Sequence, residues 1–404
     1  MRTQPQRRSR VRLAALSIKQ SRPNFCAPLR QGDHLFRFPS RLPQNARKAR
    51  SPFREYFTYR NPVITCAAAV DSGGGMYLCG EGIDEILIEL YPILLAEGAA
   101  NVGTRGEMRE RLGVSFRMTN PRARISRSQD RGKPFSALGE LLWYLGGLDT
   151  LEFIKEYIPD YAKDAEDGIL AGAYGPRIHA MRGSINQLEN VTRLLKEKST
   201  SKRALIQLYD AADIAVHHEG IPCTTALQFV ARDGRLHMST TMRSNDAYKG
   251  LPHDVFCFTM LQEMMATRLD LDPGDYLHYA TSMHVYDGSI EPMKNYVNEG
   301  HQKTVQMPPM PSGDAFSITD ALLQAEGEIR AEKKIRAEDF SREPYWADII
   351  RLLQVFWATK RRGAPGFEGL EELKAEFHDE VYRTYLERRL KTRVLRDIKT
   401  NGAG

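Results

Sequence analysis

The sequence predicts an α+β fold with mainly antiparallel strands and helices against one face. Three observations predict it. Segments of alternating apolar and polar residues are interleaved with segments of helical spacing. Two of the alternating segments, "TALQFVAR" and "GRLHMSTTMRS", flank "RDGR", whose Asp233-Gly234 pair is a strong hairpin signal. "DVFCFTMLQEMMATRL" is apolar nearly all round, as a helix inside a core must be.

The elements follow in order. "IDEILIELYPILLAEG" has helical spacing and ends in glycine. "RERLGVSFRMTN" alternates into a turn and reads as a strand. "PFSALGELLWYLGGL" starts with proline and stops at Gly146-Gly147, a punctuated buried helix. "RALIQLYDA" is a strand, the hairpin and the core helix come next, and "DYLHYATSMHVYDG" is a further strand. Beyond about residue 303 the character changes. "VQMPPMPSGD" reads as a linker, and charged helical segments follow near 318–335, 345–361 and 367–392. The expected domains are a basic tail over 1–75, a globular domain over 76–304 and a helical extension over 305–404.

Composition is that of a globular protein, with 42% hydrophobic and 27% charged residues. No apolar run approaches the roughly 18 residues that cross a bilayer. The formal charge of +6 divides unevenly. Residues 1–60 hold 13 Arg and 2 Lys against Asp33 and Glu55, a net +13, so the remainder carries −7. Such an arm is a solvated or spurious tail, an organelle-targeting segment or a nucleic-acid arm, the last being the weakest reading. The five cysteines form no CxxC pair, so neither a disulfide framework nor a zinc site is indicated, and the expected compartment is reducing and cytoplasmic.

The chemistry concentrates between residues 220 and 290. Cys223 stands where a polar loop enters the strand "TTALQF", as a core thiol or as a nucleophile. In "MRSNDAYKGLPHD", Arg243 and Ser244 are donors suited to a phosphate. Asp254 stands before an apolar helix, where an N-cap is the ordinary role for aspartate. His284 and Tyr286 lie two apart, on one face of a strand, where they can hold a sugar hydroxyl.

Together these segments resemble the thymidylate synthase family, which includes the cytidylate hydroxymethylases. The resemblance covers roughly residues 100–300 and rests on "PC", "DGRL", "RS.D", "GLP" and "H.Y", in order from Cys223 to Tyr286. It implies a three-layer α+β sandwich, a homodimer with shared active sites, a pyrimidine nucleoside monophosphate substrate and 5,10-methylenetetrahydrofolate as co-substrate, with no metal. It implies Cys223 as the nucleophile, Glu140 organising water and proton transfer, and Tyr174 near the carbon-5 proton. Arg243, Ser244 and Arg105 match phosphate ligands, with Arg109 competing for the place of Arg105. Lys202 and Arg203 match a basic pair given by the partner subunit. Asp246 matches a pterin contact, and His284 with Tyr286 the sugar pair.

Departures from the family pattern shape the functional reading. Thr224 follows the nucleophile where histidine is usual, and Tyr157 and Tyr161 stand near where tryptophans are expected. The charged C-terminal segment replaces a short apolar end that closes over folate. Asp254 stands where methylating members have asparagine, as in the cytidylate hydroxymethylases. The favoured expectation is a cytidylate 5-hydroxymethylase, with methylation of a uridylate and a nucleotide- or RNA-binding role as the alternatives.

Overall fold

Alternating residues build a broad sheet, and the segments with helical spacing bury one of its faces. The computed structural model describes residues 69–70, 75–129, 134–360 and 370–391. In chain order the elements are β1 (Ala69–Val70), β2 (Met76–Gly80), α1 (Ile83–Glu97), β3 (Ala99–Gly103), β4 (Gly106–Met118), α2 (Pro134–Leu145), α3 (Leu151–Ile154), α4 (Tyr174–His179), α5 (Gln187–Glu197), β5 (Leu205–Gln207), β6 (Thr224–Arg232), β7 (Arg235–Asp246), α6 (Leu251–Arg268), β8 (Asp272–Tyr286), α7 (Ile290–Glu299), α8 (Thr319–Arg330), α9 (Pro344–Lys360) and α10 (Leu370–Ala375). A further helical stretch covers 383–391. The basic stretch 1–75 lies outside the described residues apart from Ala69, Val70 and Gly75.

The sheet runs β1-β2-β4-β8-β7-β6-β5, with β3 paired to β4. Its ladders are antiparallel except β2 with β4 and β7 with β8. The β6–β7 hairpin turns at Asp233 and Gly234, both in the left-handed region at φ 49° and 74°, as the Asp-Gly signal requires. Between β7 and β8 the chain crosses over through α6, which lets two strands consecutive in the sheet run parallel.

The layers follow from which faces are apolar. α6 is buried almost throughout, with Val255, Phe258, Met260 and Met264 fully enclosed. It lies between the sheet and α2, which in turn meets α8 and α9. Described residues on both sides of the composition break near 305 lie in one compact unit. Met307 and Met310 are buried, and their amides donate to the Arg122 carbonyl (2.9 Å) and to Glu263 (3.1 Å). α9 buries Tyr345, Trp346, Ile350, Leu353 and Phe356. Phe356 stacks on Tyr157, whose hydroxyl accepts from Trp357 Nε1 at 3.2 Å. Tyr157 in turn lies so close to Gly139 that a β-carbon there would meet its ring at 2.1 Å, which explains a glycine inside α2.

The opposite sheet face is open. Register places Tyr77, Ser115, Tyr279, Thr241, Ala226 and Gln207 in one row across six strands. Leu277 and Leu205 lie in the next row. Tyr77, Tyr279, Leu277 and Leu205 are each about two-fifths exposed, at 42%, 39%, 38% and 43%.

Candidate active site

Cys223 precedes β6, and the register of β6 against β7 shifts between Thr224 and Ala226. Such a bulge re-aims a side chain at the rim of a sheet. The thiol is largely enclosed, with Arg243 Nη2 3.8 Å from Sγ. Arg243 is fixed there by the carbonyls of Pro222 (2.8 Å) and Ile221 (3.1 Å). Burial pushes the Cys223 thiol up, while the charges of Arg243 and Arg105 oppose that rise. Cys257 is the contrasting thiol, fully buried in α6 with the Ala137 carbonyl as its acceptor at 3.4 Å.

The turn between β3 and β4 carries Arg105 to this rim. Its Nη2 bonds Asp164 at 2.5 Å, and its charge bears on both Cys223 and Tyr286. Arg109, its competitor in the sequence, points elsewhere and bonds the Leu95 carbonyl. His284 and Tyr286 pack edge to face, 5.0 Å between ring centres. Ser244 Oγ lies 3.4 Å from His284 Nδ1. Burial pushes the His284 imidazole below its ordinary range, although Asp246 and Glu110 pull it up.

Glu140 projects from α2 into the same interior. Its Oε1 accepts from Tyr161 (2.5 Å) and Tyr144 (2.9 Å), and His253 Nδ1 lies 3.2 Å from Oε2. Burial alone pushes the carboxyl up, but His253 and the two phenols outweigh it and hold it below the usual range. Tyr161, one of the two expected tryptophan substitutes, therefore reaches the site, whereas Tyr157 faces Glu326 and α9. Tyr174 donates to Thr224 Oγ1 and accepts from the Thr224 amide, both at 3.0 Å. Burial and the nearby charges of Cys223 and Asp254 raise its phenol well above the ordinary range.

Asp254 is not an N-cap. The cap of α6 is Gly250, and Asp254 is the fourth residue of the helix. Its Oδ2 accepts from Asn245 Nδ2 at 2.7 Å, not from a helix amide. Burial pushes its carboxyl well above the usual range, the negative charge of Glu140 adding to the effect. Asn245 is held in turn by His278, 3.1 Å from Nε2, and His278 Nδ1 meets Tyr276 at 3.0 Å. Burial drives the His278 imidazole down to about 3, so it is neutral. Satisfying every partner then fixes one polarity: Tyr276 donates to His278, His278 to Asn245, and Asn245 to Asp254.

Residues 131–325 match the family model for thymidylate synthase. This stretch is a thymidylate synthase family domain. The match begins later than the sequence resemblance and runs past residue 304 into α8. The activity of the thymidylate synthase family is folate-dependent one-carbon transfer to carbon 5 of a pyrimidine nucleoside monophosphate, with methylenetetrahydrofolate as donor, and this domain is a one-carbon transferase of that type.

Set against the family pattern, most of the expected residues converge: Cys223, Arg243, Arg105, Tyr174, Glu140 and Asp254 bear on one another through contacts or charge. Asp246 lies beside them in β7, its Oδ1 accepting from the amides of Tyr248 and Lys249. Lys202 and Arg203 do not join them. They precede β5, beyond Gln228, roughly 17 Å of strand from Cys223. Sequence reasoning did not single out His253, His278 or Asp164. The two histidines contact partners 113 and 33 positions away, which no local spacing reveals.

Proposed function

We propose that the protein is a cytidylate 5-hydroxymethylase. The observation that carries this reading is Asp254: a buried carboxyl, held by Asn245 and free of any capping duty, where methylating relatives have an amide. Asn245 donates to Oδ2 and leaves Oδ1 to meet the base. Cytosine offers a ring nitrogen acceptor beside an amino donor. It pairs with this carboxyl whether the shared proton sits on Asp254 or on the ring nitrogen. Uracil carries a hydrogen on that nitrogen and has no second arrangement. Each mispaired buried group costs about 1–3 kcal/mol.

The remaining residues support the chemistry. Thiolate addition of Cys223 to carbon 6 breaks the ring's aromaticity and makes carbon 5 nucleophilic. Arg243 stabilises the thiolate as it forms. Arg105, Arg243 and Ser244 suit a phosphate, and His284 with Tyr286 suits the sugar. Asp246 keeps Oδ2 for a donor, which fits a pterin ring. When bound, methylenetetrahydrofolate supplies the one-carbon unit. Water then captures that unit on carbon 5, with Glu140 nearby to take a proton.

A second copy of the chain fits the open sheet face. Arg203 is exposed and alternates in phase with Leu205, toward that face, while Ala204 and Ile206 point inward. A dimer through this face would let Lys202 and Arg203 serve the partner's phosphate site.

The test is incubation with CMP, dCMP or dUMP and methylenetetrahydrofolate, with products identified by mass. A hydroxymethylated cytosine product without dihydrofolate is expected. A methylated uracil product with dihydrofolate would overturn the reading, and no turnover with any nucleotide would favour a binding protein.

A further inference from the structure

α2 and α6 each place a carboxyl in the same enclosed interior, Glu140 and Asp254, and the two are pushed in opposite directions. Such a split usually assigns one group to base and the other to acid work. Burial cannot produce it, because both carboxyls are buried. The difference lies in the partners. Asp254 has the Asn245 amide. Glu140 has two phenols on one oxygen and an imidazole on the other.

The imidazole is His253, the residue beside Asp254 on α6. Its Nδ1 lies 3.2 Å from Glu140 Oε2, and its Nε2 lies 2.9 Å from Ser136 Oγ. With the proton on Nδ1, the ring donates to Glu140 and accepts from Ser136, and every polar atom of the trio is paired. Ser136 and Glu140 are both on α2, so the ring bridges one turn of that helix. The other ionisable groups that bear on Glu140 are Tyr144 from its own helix, Tyr161 from the segment Pro159–Lys163, and Asp254 and Cys257 from α6. Asp254 and Cys257 are acids whose ionised forms would repel Glu140, so neither is a countercharge for it.

We propose that His253 is a positioning residue: bridging Ser136 and Glu140, it holds the Glu140 carboxylate ready to accept the proton of the attacking water. The proposal rests on the hydroxymethylase reading for the identity of that water. In the step, the water oxygen bonds the exocyclic methylene carbon. One water proton passes to Glu140, and the electrons of the exocyclic double bond move into the ring. Expulsion of the Cys223 thiolate from carbon 6 then restores the double bond between carbons 5 and 6.

The test uses the full-length protein and the variants His253→Phe and His253→Gln. Infrared difference spectra across pH follow the ionisation of Glu140, with Glu140→Gln to assign the bands. The same proteins give kcat and KM against pH, with whichever nucleotide the wild type turns over. The wild-type carboxylate should persist below the ordinary glutamate range. In His253→Phe its titration, and the acid limb of kcat, should move up together by about one pH unit, roughly tenfold in kcat below the limb. KM for the nucleotide should stay within about twofold. His253→Gln keeps an N–H donor and should shift less; it carries the test if the phenylalanine variant does not fold. An unmoved band and limb, or a loss equal at every pH, would overturn the proposal. The infrared reading is independent of product identity, so a methylated product would sink the hydroxymethylase reading without deciding the role of His253.

Discussion

At the scale of single residues, the site turns on a thiol and a carboxyl. Cys223 is enclosed and its thiol is pushed up by burial, with Arg243 as the nearest counterweight. Cys223→Ser keeps nearly the same volume, so the fold should survive, as circular dichroism and thermal melting would show. Turnover should fall more than about 100-fold, because an alkoxide is far harder to form than a thiolate; residual activity above that level would rule out the covalent route. Asp254→Asn should move the ratio of kcat/KM for cytidine over uridine monophosphates toward uracil by roughly 5- to 150-fold, since an amide keeps its donor and acceptor on fixed atoms and cannot share a proton. A ratio that stays put would leave the buried carboxyl without a role in base choice. Both residues were legible in the sequence because each sits in a short ordered motif. Their partners were less so. Asn245 carries no signal of its own inside "MRSNDAYKGLPHD", and His253 and His278 gain partners only where the fold brings them to Glu140 and Asn245.

At the scale of elements, the long periodic segments were readable and the short ones were not. α1, α2, α6 and strands β6 to β8 follow apolar patterns that hold for eight residues or more. β3, "AANVG", is exposed over most of its length, so no alternation marks it. Yet β3 forms the hairpin whose turn delivers Arg105 to the site. Gly106 makes that turn feasible with φ at 118°. In the resting protein Arg105 is paired with Asp164, a partly exposed ion pair of the kind worth about 0.2–1 kcal/mol. A substrate phosphate must compete for the same guanidinium. Asp164→Asn should therefore lower KM for the nucleotide by about two- to fivefold with little change in kcat. A raised KM in steady-state assays would show instead that Asp164 orients Arg105 for binding.

At the scale of the whole molecule, the open sheet face and the basic pair before β5 belong to one argument. A face carrying Tyr77, Tyr279, Leu277 and Leu205 across the sheet is larger and more regular than scattered surface residues would be. Arg203 lies at its edge, too far along the strand to serve Cys223 of its own chain. A two-fold dimer through this face would give each Arg203 to the other subunit's phosphate site and make each site depend on both chains. Mixing inactive variants tests that dependence. Cys223→Ser supplies no nucleophile, and Arg203→Ala removes the crossing guanidinium and leaves only Lys202, so each homodimer should be impaired. After unfolding and refolding an equal mixture, half of the dimers should be mixed. Each mixed dimer has one site with an intact Cys223 and an intact Arg203 from the other chain. Activity should therefore recover to roughly a quarter of the wild-type level. Sedimentation should report a dimer at micromolar concentration. If Arg203 acts within its own chain, no chain of the mixed dimer has both Cys223 and Arg203, activity stays at the average of the two variants, and the shared-site arrangement fails.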